Sequence, residues 1–169
     1  KDKVALVSSK SYEAYTPAEL GAKLDFNPYT FLHVINPGYK YHQEVSGEQR
    51  FKLVHNRYLE FKENNTFIQD NTPAFYIYER IDPNFSFCGI IGATSVQDYL
   101  KDVIKKHEGT ISRREVLFEN YLKTTGFNAE PVLLTFKDNE TLENIIHDEK
   151  QKRPEYEFYT TDKRLHKLW

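Results

Sequence analysis

Apolar positions recur at helical spacing in four stretches, each opened by a start signal. Thr16-Pro17-Ala18-Glu19 supplies an N-cap, a proline at the first helical position and the reciprocal acid of a capping box. Ser46-Gly47-Glu48-Gln49 supplies a second box, and Phe51, Val54, Tyr58 and Phe61 follow on one face. Ser112-Arg113-Arg114-Glu115 is a third, followed by Leu117, Tyr121 and Leu122, with Gly126 placed to end the helix. A fourth helix is predicted from about Asn139 to Lys150 through Leu142, Ile145 and Ile146, with Pro154 beyond it.

Shorter apolar or alternating runs predict strands at Val4–Val7, Phe31–Ile35, Ala74–Ile81, Phe87–Ser95, Pro131–Phe136 and Tyr156–Thr160. Asp82-Pro83-Asn84 is a turn sequence, so 74–81 and 87–95 should form an antiparallel hairpin. Arg164–Trp169 can pair back on 156–160 across Thr161-Asp162-Lys163. The class expected is α+β: a mixed sheet with interleaved helices and at least one antiparallel hairpin, in a single domain over 1–169.

Twelve Tyr and twelve Phe must supply much of the core, each burying roughly 150–250 Å². A formal charge of -2 gives no bulk field toward nucleic acid or an anionic membrane, so neither is expected as a partner. No apolar run nears the roughly 20 residues of a membrane helix, which points to the cytoplasm. Cys88, the one cysteine, sits in a run that reads as a buried strand and is expected to be a core thiol. The chain opens at Lys1, contains no Met and closes on apolar-alternating residues at Trp169. It therefore reads as a piece of a longer protein whose C-terminal remainder, a partner for this part, is absent.

One segment is chemically pointed. Between a strand and a helix, Lys105, Lys106, Arg113 and Arg114 bracket His107, Glu108, Gly109 and Thr110. The following helix offers free N–H groups and the positive end of its dipole. Gly109 permits a sharp turn, and His107 and Glu108 can move a proton near neutrality. Phosphoryl chemistry needs such parts, so a small anionic or phosphorylated ligand is the partner the segment suits. An ordinary solvated loop would carry the same residues, and no Walker loop, Gly-x-Gly-x-x-Gly or metal-spaced Cys/His set accompanies them.

Other candidates are weaker. His33 falls in a predicted strand and reads as a satisfied core histidine, His55 lies beside its helix's apolar stripe, and His147 reads as solvated. His42, with Tyr39 and Tyr41, follows Pro37-Gly38 on a loop that could lid a pocket. Arg164–Trp169 reads as an edge strand first; His166 within it is a candidate ligand contact.

Ile104-Lys105-Lys106-His107-Glu108-Gly109-Thr110, then Arg114-Glu115 and Asn128–Phe136, resemble the bacterial domain-of-unknown-function family ten-fifteen. Phe31-Leu32-His33-Val34 with Pro37, and Leu165-His166-Lys167-Leu168-Trp169, fit the same pattern, so the resemblance spans the chain. Two departures stand out. Val7–Tyr12 holds no counterpart of the family's Pro-Pro-Tyr-Asp-like segment, and the family continues past the counterpart of Trp169 into Asp-Gly-His-His-Arg. That later motif resembles the phosphate-contacting motif of ParB-like nucleotidases and free-serine kinases.

The resemblance implies a nucleoside di- or triphosphate with Mg²⁺ as cofactor. It would make Glu108 the base or contact to metal-bound water and His107 a proton carrier or phosphate contact. Lys105, Lys106 and Arg114 would bind phosphate, and Thr110 would cap or hydrogen-bond it. The expected function is part of a nucleotide-dependent phosphotransferase or phosphohydrolase acting on a small metabolite such as serine, a substrate suggested by the family's frequent place beside serine-biosynthesis genes. The alternatives are a non-catalytic nucleotide- or metabolite-sensing regulatory domain, and a structural half that supports the absent C-terminal region.

Overall fold

A computed structural model describes residues 3–106, 109, 112–129 and 131–169, with the backbone alone at Tyr12. The chain is α+β and divides into two compact units: Lys1–Ala5, Asp70–His107 and Val132–Trp169 form the first, and Leu6–Gln69 and Glu108–Pro131 the second.

The first unit is built on a four-stranded sheet, β1 (Tyr76–Ile81), β2 (Ser86–Ile91), β3 (Tyr156–Tyr159) and β4 (Leu165–Leu168), in the order β2-β1-β4-β3. All three pairings are antiparallel. Both predicted hairpins form. The first closes through Asp82 N–H donating to the Phe85 carbonyl at 2.9 Å, and the second turns through Lys163 at φ 63°. Arg164–Trp169 is not an edge strand, because β1 pairs with β4 on the side away from β3.

Strand alternation sorts the side chains. Glu79 and Lys167 are opposite one another in the register, and Glu79, buried, takes an ion pair from Lys150. Lys150 ends α7 (Glu140–Lys150), which forms where the sequence predicts and whose N-cap Asn139 accepts from Leu142 N–H. β2 is an edge strand exposed at every position but Gly89. Cys88 is therefore exposed and not a core thiol. The expected strand 131–136 does not form: 131–139 carry no regular structure, and Val132 and Leu133 are exposed. Ser95 caps a short helix, α5 (Val96–Leu100), by accepting from Gln97 N–H at 3.1 Å.

The second unit is helical: α2 (Pro17–Phe26), α3 (Leu32–Ile35), α4 (Gly47–Glu63) and α6 (Ser112–Thr125). The capping box at Thr16 and Glu19 is complete. At α4 the helix begins where predicted, yet Ser46 makes no side-chain cap. α6 already includes Ser112, so Ser112 is not its cap, and the two residues before it lie outside the described residues. Gly126 ends α6 at φ +75°.

Val54 and Val34 are fully buried beside Phe61, with Phe31, Tyr58, Phe67, Tyr121 and Phe127 packed around them. Tyr58 stacks on Phe127 at 4.3 Å between ring centroids, and Phe51 meets Tyr121 edge-on at 5.2 Å.

Two expected strands are helical. Phe31–Ile35 becomes α3 because Thr30 and Phe31 carbonyls accept from His33 and Val34 N–H, at 3.1 and 2.9 Å. Val4–Val7 forms α1, a single turn. Four or five apolar residues fit either state, and periodicity over so short a run cannot choose.

Candidate functional site

The residues singled out by sequence fall in both units. In the first, the chain leaves α5 through a tight turn: Asp102 is left-handed at φ 59°, and Val103 N–H donates to the Asp98 carbonyl at 2.9 Å. Beyond it Lys105 reaches solvent, 76 % exposed, and pairs with Asp102 at 2.6 Å. The Lys106 ammonium stands 4.7 Å from the Tyr99 ring centroid. Gly109 is exposed, and a side chain there would meet nothing within 4 Å. His107, Glu108 and Thr110 lie outside the described residues.

In the second unit Arg113 and Arg114 occupy the first turn of α6, both exposed. The Arg114 guanidinium lies 6.0 Å from the Phe118 ring, one turn along the helix.

His166 has the most built surroundings of the candidates described. β-Sheet register sets Arg80 on one side of it and Phe158 on the other. The ring stacks on Phe158 at 5.1 Å and 9°, and Tyr78, its diagonal neighbour on β1, comes within reach. Tyr78 Oη lies 2.7 Å from Nδ1 and Thr160 Oγ1 lies 3.3 Å from Nε2. The Thr160 hydroxyl also bonds Asp162. Burial pushes the His166 pKa below its ordinary value, with Arg80 and Arg164 adding to the shift and Asp162 and Asp82 opposing it. Arg80 and Arg164 converge on buried Asp82, their Nε atoms 2.9 and 2.5 Å from its carboxylate. An open apolar cavity of about 220 Å³ lies against this face, lined by Val4, Tyr78, Tyr156, Phe158, His166, Lys167 and Leu168.

The family model described as Protein of unknown function (DUF1015) matches residues 1–169. The chain belongs to that family. No curated protein and no solved structure matches it. Within this DUF1015 chain, no three His, Cys, Asp or Glu side chains among the described residues group in a way that would hold a metal ion. Among the same residues, no helix is long and apolar enough to cross a membrane.

Sequence reasoning found His166 but missed Tyr78, Thr160 and Asp162 around it. Local pattern gives each hairpin; the pairing of β1 with β4, 88 residues apart at Tyr78 and His166, has no local signal. For α5 a signal was present. Ser95 followed three residues later by Asp98 is the start of a capping box.

Proposed function

We propose that this chain supplies the phosphate-binding part of a nucleotide-dependent phosphotransferase or phosphohydrolase acting on a small metabolite such as serine. The observation that carries the proposal is a charge conflict at the start of α6. Two arginines, Arg113 and Arg114, occupy the first turn of a 14-residue helix beside one acid, Glu115. Cations are disfavoured at the positive end of a helix dipole, where an anion is favoured. A phosphate there turns the conflict into a site.

Contacts that now occupy two of the cations are weak. An exposed ion pair such as Lys105–Asp102 contributes about 0–1 kcal/mol, and an exposed cation–π contact such as Arg114–Phe118 about 0.5–1 kcal/mol. A hydrogen bond to a charged phosphate contributes about 1.5–3 kcal/mol, enough to draw the Arg114 side chain away from Phe118. Glu108 and His107 then supply the groups that phosphoryl transfer needs, a base or contact to Mg²⁺-bound water and a proton carrier. Mg²⁺ with the nucleotide would neutralise charge on the transferred group.

Calorimetric titration of the full-length protein with Mg²⁺–nucleoside triphosphates, and a phosphotransfer assay on serine, test this. Arg114→Ala should weaken nucleotide binding by about 1.5–3 kcal/mol. Glu108→Gln should leave binding within about tenfold and lower turnover about 10²–10⁴-fold, the weight of general acid–base catalysis. Unchanged turnover in Glu108→Gln would remove Glu108 from catalysis, and Arg114→Ala that lowers stability but no ligand affinity would make the arginine structural.

A further inference from the structure

The second unit holds a groove of about 220 Å³ with a different chemistry from the segment above. One wall is a face of α4, where Leu53, Asn56, Arg57 and Glu60 recur at helical spacing. The other is formed by His33, Asn36 and Pro37, and by Lys40 and Tyr41 of the 3₁₀ turn Tyr39–Tyr41.

This second wall is fixed before any ligand arrives. A Cβ at Gly38 would come within 2.3 Å of the Gln43 carbonyl oxygen, so the turn closes tightly on itself. Tyr39 Oη donates to Asp25 at 3.0 Å and ties the turn to α2. Arg50 Nη2 donates to the Ile35 carbonyl at 2.9 Å, holding the end of α3 against α4. The loop that could lid a pocket contributes Lys40 and Tyr41 to this wall, with His42 left-handed at φ 50° and exposed. Such preorganisation removes much of the ordering cost of binding.

The polar groups lining the groove are mostly donors. Lys40 makes one contact among the described residues, its ammonium 5.9 Å from the Tyr41 ring centroid. The Asn56 side-chain amide and the Tyr41 hydroxyl have no hydrogen-bond partner among the described residues. Arg57 gives one nitrogen to Glu60 and lays its guanidinium 5.5 Å from the Phe61 ring. Two cations and one carboxylate leave the lining one positive charge in excess. His33 Nε2–H donates to the Asn27 carbonyl at 3.1 Å. Burial, with Arg57 and Lys40 adding to it, pushes the His33 pKa below its ordinary value, while the hydrogen bond to Asn27 opposes them.

We propose that this groove binds a small molecule through a single oxyanion, carboxylate or phosphate. Lys40, Asn56, Tyr41 and the free part of the Arg57 fork are its donors. The site stands apart from the one at α6, and neither depends on the other's being right.

The test is an NMR titration of the full chain at constant ionic strength with inorganic phosphate in one arm and acetate in the other. Saturable shifts of the His33 ring and Asn56 side-chain resonances are expected, and the tighter arm identifies the oxyanion. Lys40→Glu, on an exposed position, should weaken the response about tenfold or more with an unchanged thermal midpoint. Lys52→Glu, an exposed charge on α4 outside the groove, should change it less than about twofold, within the small effect of a remote surface charge. Arg114→Ala should leave it unaltered. If Lys40→Glu fails to fold, Asn56→Ala carries the same comparison. Shifts that never saturate, or that persist at full affinity in the Lys40 or Asn56 variant, would overturn the proposal.

Discussion

At His166 the two ring nitrogens do different work. The Thr160 hydroxyl has one proton, and its bond to the acceptor-only carboxylate of Asp162 uses it. Nε2 must then carry the hydrogen that joins it to Thr160, which leaves Nδ1 to accept from Tyr78 O–H at 2.7 Å. The order runs Tyr78 to His166 to Thr160 to Asp162, every donor used once. It needs a neutral imidazole, in agreement with the lowered pKa. Tyr78→Phe should therefore cost about 0.5–1.5 kcal/mol, the net value of one hydrogen bond, as read by denaturant unfolding. Asp162→Asn removes the largest charge effect raising the His166 pKa, so that pKa should fall further in an NMR titration. A rise instead would mean that the Asp162 charge does not act on this ring.

Elements show what local sequence can and cannot specify. Gly126 was legible as a helix stop because a left-handed residue, here at φ +75°, commonly ends a helix and glycine adopts it most readily, and α6 ends there. Just before it, the Thr125 carbonyl accepts from His55 Nδ1–H at 2.8 Å, so the helix end is also tied to α4. A Cβ at Gly126 would sit 3.9 Å from that imidazole, an ordinary contact. Gly126→Ala should thus destabilise by about 1–2 kcal/mol through backbone strain alone, and Gly126→Asn by less. Equal losses in the two variants would show that the cost is steric.

Helices with paired start and stop signals, and hairpins with turn residues, were read correctly from sequence for the same reason: their information lies within a few residues. α3 was misread although its burial alternates like a strand's, Leu32 and Val34 inside and His33 and Ile35 half out. One turn of helix can give that pattern when a neighbour, here α4, covers it. The candidate site was less legible than the fold. Lys105, Lys106 and Arg114 are exposed. The groups around His33 and His166, however, come together only through long-range packing.

At the scale of the whole molecule, the two half-buried histidines should make stability fall with acid. One lies in each unit, and both have pKa values below the ordinary 6.5. The unfolded chain therefore takes up these protons first as pH falls. Stability is fully present above about 6.5 and is lost as pH drops toward the folded values. Each histidine contributes at most about 1.4 kcal/mol per pH unit, and these partly solvated rings contribute well below that limit. Glu19, Glu48 and Glu119, whose pKa values are lowered by Thr16, Lys52 and Lys123, add a separate loss only below the ordinary 4.5. The thermal midpoint should thus fall between pH 7.5 and 5.5, less in His33→Gln or His166→Gln, and least in the double variant. An equal fall in the double variant would assign acid lability to other groups. The groove adds one further consequence: an oxyanion beside Arg57 and Lys40 offsets the charges that depress His33. Saturating phosphate or acetate should therefore raise the His33 pKa and flatten the share of the pH response that His33→Gln removes, while leaving the His166 share intact.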